Sequence, residues 1–285
     1  MEIKKVGVVG CGSMGAGITQ LCAQSGFQVV VSEINDEFLK RGMGFIDKTL
    51  ARSVEKGKLA QADKGAIMGR IKGTTDTKDF ADCDLVIEAA IEDLELKKKI
   101  FAELDGICPK QAILATNTSC LSIIDMAIVT KRADKVVGLH FFNPAPIMKL
   151  LEIVKTIATS EETMAISQKF GEKLGKTTVV AQDAPGFIVN RLWIPFLLHC
   201  IRLYEEGVAS REDIDNAIQL GLNYPMGPLT LSDMVGIDVV KFVSDALYEQ
   251  LKDPRYITPT LVDKMVAAGW LGRKTGKGFY DYTNK

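Results

Sequence analysis

The chain has 285 residues, 47% of them apolar and 25% charged, with a formal net charge of -1 at pH 7. That length allows two domains with ample core, and the balanced charge gives no global field for nucleic acid or an anionic membrane. The longest apolar run, around Leu192 to Cys200, is too short to span a bilayer.

Met1 to Val9 reads as a core strand rather than a secretory leader, with its centre at Lys5 to Val9. Ser13 to Gln24 follows as a helix and Phe27 to Ser32 as a second strand. Asp36 to Gly57 is a long amphipathic helix, with Ala62 to Ile71 as its antiparallel partner. Together they predict a helical hairpin over about 36–71, inserted where a single crossover helix is usual. Leu85 to Glu88, Ala112 to Ala115 and Val136 to Leu139 read as further buried strands, and Leu150 to Val154 as another apolar run. Alternating strands and helices imply a mostly parallel, doubly wound sheet. Near Asp183-Ala184-Pro185-Gly186 the pattern changes. Beyond it Phe187 to Glu206, Arg211 to Leu220, Val235 to Leu251 and Thr258 to Ala268 read as helices, with Pro195 a kink in the first. The expected fold is an α/β Rossmann-type domain over residues 1–184 and an all-α domain over 185–285. The apolar helices of the second suggest either a partner surface, making a homodimer, or simply that domain's own core.

Gly10, Gly12 and Gly15 form GxGxxG between the first strand and a helix. The first glycine suits a tight turn, the second close approach of a pyrophosphate, the third helix–strand packing. Anionic groups are favoured at that helix N-terminus. Glu33 ends the second strand about 20 residues on, where a carboxylate accepts from a ribose 2′-hydroxyl and repels a 2′-phosphate. NAD is therefore the expected cofactor. His140, one of only two histidines, ends a buried strand. Glu152 follows beyond a turn at Asn143 to Pro146, so two strands bring the pair together. A carboxylate beside an imidazole fixes its tautomer and supports its protonated form, as a general base requires. His199, within an apolar helix, reads as structural.

Asn117, Thr118 and Ser119 lie on the carboxyl side of the sheet, where ligands bind in such folds. Ser119 suits either a substrate oxygen or a helix cap. Asn190 lies just past the domain boundary, near an expected cleft. Lys48, Arg52 and Lys56 share one helical face, as a solvated stripe or as a seat for a phosphate-rich ligand. The six cysteines form no CxxC and no metal-like cluster with histidine, and read as reduced cytosolic thiols, so no metal is expected.

These residues carry a resemblance. GCGSMGAGI at Gly10, DLVIEAAIED at Asp84, TNTSCLSI at Thr116, HFFNPAPIMKLLEI at His140, APGFIVNRL at Ala184, MGPLTLSD at Met226 and AGWLGRKTGKGFYDY at Ala268 resemble the short, single-function 3-hydroxyacyl-CoA dehydrogenases. The likeness covers essentially the whole chain and is greatest to the bacterial 3-hydroxybutyryl-CoA members. It implies reversible hydride transfer between NAD and an (S)-3-hydroxyacyl-CoA such as the 3-hydroxybutyryl-CoA/acetoacetyl-CoA pair; the dimer through the C-terminal domain and the cytoplasmic location rest on the apolar helices and the cysteines. The implied catalytic set is His140, Glu152, Ser119 and Asn190. Implied cofactor contacts are Gly10, Gly12, Ser13, Met14, Gly15, Glu33, Glu92, Lys97, Asn117, Ser119, Asn143 and Lys274. Implied coenzyme A contacts are Ser119, Arg52 and Lys56. The family often has Asp at the place of Glu33, Ser at Cys120 and Lys at Arg52. A broader-chain or dicarboxylic acyl-CoA substrate, a free hydroxy acid, and a non-catalytic NAD-binding role are the competing readings.

Overall fold

The computed structural model describes residues 1–283, and the last two residues of the expected second domain lie outside that range. The chain divides into two compact units after Ala184.

The first unit contains, in order, β1 (Lys5–Val9), α1 (Ser13–Gln24), β2 (Gln28–Ser32), α2 (Asp36–Glu55), α3 (Gln61–Met68), β3 (Ile71–Thr74), β4 (Leu85–Glu88), α4 (Leu94–Ile107), β5 (Ile113–Thr116), α5 (Ile123–Ala127), β6 (Val136–Phe141), β7 (Leu150–Lys155), α6 (Glu161–Lys173) and β8 (Thr177–Gln182). The strands form one sheet in the order β3-β2-β1-β4-β5-β6-β7-β8. Each neighbouring pair is parallel except β6 with β7, which is antiparallel. β4, β5 and β6 are buried along their whole length, which is why their sequences are unbroken apolar runs rather than alternating ones. The strand order reverses direction at β1, beside β4, so the carboxyl ends of these two strands open the crevice where ligands bind in this class of sheet.

Two strands escaped the sequence reading, and both are edges. β3 begins at Ile71, where the second helix of the hairpin was expected to end, and its Lys72 and Gly73 are exposed. β8 is buried only at Ala181. An edge strand with little buried surface needs no apolar run, so periodicity gives no sign of it. The hairpin is real but shorter than expected. Asn35 caps α2 by accepting from the Phe38 amide at 2.9 Å, and Lys64 of α3 pairs with Asp47 of α2 at 2.8 Å.

The second unit contains α7 (Val189–Glu205), α8 (Arg211–Gly221), α9 (Pro228–Val235), α10 (Ile237–Leu251) and α11 (Thr260–Ala267). Ile194, Leu197, Leu198, Ile201, Val240 and Leu247 belong to its core. α9 was not expected. Its Pro228 occupies the first turn, a place helices tolerate proline because that amide has no helical partner. The single helix expected from Val235 is divided from α9 by Gly236, whose φ is 111°. α7 continues through Pro195. Two buried aspartates organise the unit. Asp215 accepts from the Leu229 and Thr230 amides at 2.8 and 3.0 Å at the start of α9. Asp233 accepts from the Phe279 and Tyr280 amides at 2.8 and 2.9 Å and so ties down the C-terminal segment. Among the described residues no helix is long and apolar enough to cross a membrane.

Candidate active site

His140 and Glu152 are direct partners in the β6–β7 register. Paired residues in an antiparallel ladder project to the same face, with Cβ atoms about 4.5–5.5 Å apart. The side chains consequently meet: His140 Nδ1 lies 2.6 Å from Glu152 Oε2, with both residues buried. With the carboxylate ionised, Nδ1 carries the proton and donates it to this bond. Nε2 then holds a lone pair, the arrangement that a general base needs. Phe142 packs against the imidazole with ring centroids 4.6 Å apart.

The glycine loop follows β1. Gly10 has φ 93°, and a Cβ on Gly15 would lie 1.9 Å from the Gly10 carbonyl oxygen, so no side chain fits there. A Cβ at Gly12 would meet nothing within 4 Å. The loop is thus tight on its inner side and open at Gly12, as a pyrophosphate would require at the N-terminus of α1, where Ser13 and Met14 begin the helix. Glu33 lies just past β2. Its Oε1 accepts from the Cys11 amide at 2.8 Å and its Oε2 from the Ile34 amide at 3.1 Å. Two backbone donors fix this carboxylate beside the loop while leaving it lone pairs for ribose hydroxyls. The residues present therefore fit a dinucleotide.

A third set was only partly anticipated. Glu88, at the end of β4, is fully buried. Its Oε1 accepts from Lys97 Nζ at 2.6 Å and from the Ala90 amide at 2.7 Å, and its Oε2 from Thr116 Oγ1 at 2.7 Å. Lys97 reaches Glu92 at 3.3 Å. Glu92 in turn accepts from Thr118 Oγ1 at 2.6 Å and from the Ser119 amide at 2.8 Å. Buried charges are tolerable when paired and hydrogen-bonded in this way. The network holds the segment 116–119 against α4. Lys97 is 1% exposed and pairs with two carboxylates, the second of which, Glu92, is also among the cofactor contacts that the resemblance implied. Asn117 Oδ1 accepts from the Phe141 amide at 2.9 Å, joining this segment to the residue after His140. Thr118 Oγ1 accepts a cap-like bond from the Leu121 amide at 3.0 Å. Glu88 and Thr116 had no sequence signal beyond being polar at the ends of apolar strands, whereas Thr118 was singled out by its place on the carboxyl side of the sheet.

The remaining residues lie on other elements. Asn143 is exposed in the turn after β6. Arg52 and Lys56 are exposed at the end of α2 and form no ion pair among the described residues, and neither does Lys48. Asn190 lies in the first turn of α7 in the second unit, where Lys274 pairs with Asp238 at 2.5 Å. His199 is exposed on α7 rather than built into the core. No group of His, Cys, Asp and Glu among the described residues could hold a metal ion.

Comparison with known proteins identifies the family. The family model "3-hydroxyacyl-CoA dehydrogenase, NAD binding domain" matches residues 5–184, and "3-hydroxyacyl-CoA dehydrogenase, C-terminal domain" matches residues 186–282. A probable 3-hydroxybutyryl-CoA dehydrogenase of Deinococcus radiodurans is 47% identical over 278 residues, 98% of this chain and 100% of the relative. The crystal structure of M. tuberculosis FadB2 superposes with a TM-score of 0.97 at 44% identity, over 99% of this chain and 100% of that one. (S)-3-Hydroxybutyryl-CoA dehydrogenase PaaH1 from Ralstonia eutropha gives a TM-score of 0.93 at 44% identity, again over 99% and 100% of the two chains.

The thiols beside the site yield a testable outcome. Burial, then the Glu33 charge, pushes the Cys11 thiol up to about 12. Burial, then the Glu92 charge, pushes Cys120 up to about 12. A raised thiol stays protonated below that value, and the thiolate is the nucleophile. At pH 8 native protein should leave both unmodified by iodoacetamide on a timescale that labels them completely in denaturant. Rapid native labelling of Cys11, read by peptide mass spectrometry, would contradict this.

Proposed function

Because the chain belongs to the 3-hydroxyacyl-CoA dehydrogenase family, we propose that it catalyses reversible hydride transfer between NAD and short-chain (S)-3-hydroxyacyl-CoA, with acetoacetyl-CoA and 3-hydroxybutyryl-CoA as the reacting pair. The observation that carries this reading is the buried 2.6 Å bond from His140 Nδ1 to Glu152, which directs the opposite ring nitrogen to proton transfer. When bound, NAD supplies the acceptor or donor of hydride. In oxidation, His140 Nε2 takes the proton of the C3 hydroxyl, and in reduction the protonated ring returns it. Glu152 orients the ring and balances its positive charge. Ser119 and, on the second unit, Asn190 donate to substrate oxygens and support charge developing there.

The loop of Gly10, Gly12, Ser13, Met14 and Gly15, together with Glu33, Glu92, Asn117, Ser119, Asn143 and Lys274, would hold the dinucleotide. Lys97 serves through Glu92, since its ammonium is already paired. Arg52 and Lys56, exposed on α2, suit the phosphates of coenzyme A, with Ser119 at the acyl end. Residues 1–184 would then be the NAD-binding domain and 185–285 the domain for substrate and dimerisation. Leu192, Leu220, Leu222 and Phe242 are exposed in the second unit, and apolar surface of that kind supports a homodimer. The cytoplasm is the proposed compartment, consistent with six buried free cysteines.

Substitution His140→Gln should lower kcat for acetoacetyl-CoA reduction about 100- to 10,000-fold, the usual contribution of a general acid–base. NADH affinity should remain within about twofold of the parent. Near-parent turnover would sink the assignment, and equal turnover of free acetoacetate would point to a hydroxy-acid substrate instead. For cofactor choice, Glu33→Gln removes the charge opposed to a 2′-phosphate. The preference in kcat/KM for NADH over NADPH should fall at least tenfold, and an unchanged ratio would remove Glu33 from that role. Sedimentation equilibrium should give twice the mass of one chain; a monomer at micromolar concentration would refute the dimer.

A further inference from the structure

The turn joining β6 to β7 links the strand of His140 to the strand of Glu152 and carries Asn143. It is locally closed, since the Ile147 and Met148 amides both donate to the Pro144 carbonyl at 3.0 Å. It also lies on the glycine-loop helix: a Cβ at Gly17 of α1 would meet Ala145 Cβ at 3.3 Å and Pro146 Cδ at 3.4 Å. Beneath it runs the start of β8. The chain leaves α6 through Gly175, the Lys176 amide donates back to the Gly171 carbonyl at 3.0 Å, and the Thr177 amide donates to the Lys149 carbonyl at 2.8 Å. This path brings Lys176 under the turn. Its Nζ donates to the carbonyl oxygens of Ala145 and Met148, at 2.6 Å each.

Lys176 is buried, and no carboxylate pairs with it among the described residues. Burial pushes its ammonium below the usual lysine range. Burying an ion costs several kcal/mol unless its surroundings compensate. Here the compensation comes from two carbonyl dipoles of one turn. We propose that Lys176 is a positioning residue for cofactor binding, its ammonium clamping the turn so that Asn143 is held against the glycine-loop helix. The proposal rests on Asn143 being a cofactor contact. The His140–Glu152 pair is set by strand register rather than by the turn, so proton transfer does not depend on the clamp.

The test is NADH affinity, by isothermal titration, in Lys176→Met, Lys176→Gln, Lys176→Arg, Asn143→Ala and the Lys176→Met/Asn143→Ala double variant. Lys176→Met and Lys176→Gln should each weaken NADH binding at least tenfold, with kcat at saturating NADH and KM for acetoacetyl-CoA within threefold of the parent. Lys176→Arg keeps charge and donors and should bind NADH within threefold. Asn143→Ala should weaken NADH binding comparably. In that background Lys176→Met should add less than twofold, because residues acting through one contact are not additive. Parent-like NADH binding by Asn143→Ala would overturn the reading of Asn143. An impaired Asn143→Ala beside a parent-like Lys176→Met would overturn the clamp. Failure of both neutral Lys176 variants to fold, or joint loss of NADH and acetoacetyl-CoA affinity with a lowered Tm, would make Lys176 a general anchor of the sheet and overturn it equally.

Discussion

The antiparallel pairing of β6 with β7 is the constraint on which the site depends. In an otherwise parallel sheet this one reversal lets a short turn, rather than a crossover helix, join two neighbouring strands. It also makes His140 and Glu152 opposite residues of a ladder, so their meeting is a property of backbone register. Side chains alternate across a strand, so a slip of one residue would put Leu151 or Ile153 in the place of Glu152. The register is itself protected, because both of those residues are fully buried on the other face of β7. The apolar core therefore fixes the polar pair, and the pair spends little conformational entropy in forming.

A second polar system is joined to the first through Asn117. Buried Glu88 and Lys97 and half-buried Glu92 form a chain that ends on Thr118 and the Ser119 amide. Asn117 then links this segment to β6 through the Phe141 amide. The segment carrying Ser119 and the strand carrying His140 are thus tied together by hydrogen bonds. A polar network rigidifies a site when its groups are satisfied, whereas a half-satisfied one would destabilise it.

Much of this was legible in the sequence, for physical reasons that also explain the gaps. The central strands are buried on both faces, so Val136 to Leu139 and Leu85 to Glu88 stand out as apolar runs. β3 and β8 are edges and do not. His140 and Glu152 could be paired in advance because a tight connection between two strands leaves few alternatives. Glu88 could not be distinguished, since an acid at the end of an apolar strand is equally a solvated residue until the lysine that neutralises it is located on α4. Lys176 was hidden for a related reason. Its partners are main-chain carbonyls, which leave no trace in the pattern of side chains. Lys97 is the instructive middle case: the resemblance singled out the residue, but only packing reveals that two carboxylates already hold its charge.

The cations of the first unit are in this way sorted by burial. Lys97 and Lys176 are buried and committed, one to carboxylates and one to carbonyl dipoles, and both act on segments that carry site residues. Lys48, Arg52 and Lys56 are exposed on α2 and carry no partner charge among the described residues. A ligand rich in phosphate gains most from cations whose field is not already cancelled, and loses nothing to those whose charge is neutralised within the protein. Glu33 completes the division on the acidic side. Both its oxygens are oriented by backbone amides, yet no cation pairs with it among the described residues. Charge held in place but left uncancelled supports the proposed preference for a ribose hydroxyl over a second phosphate there.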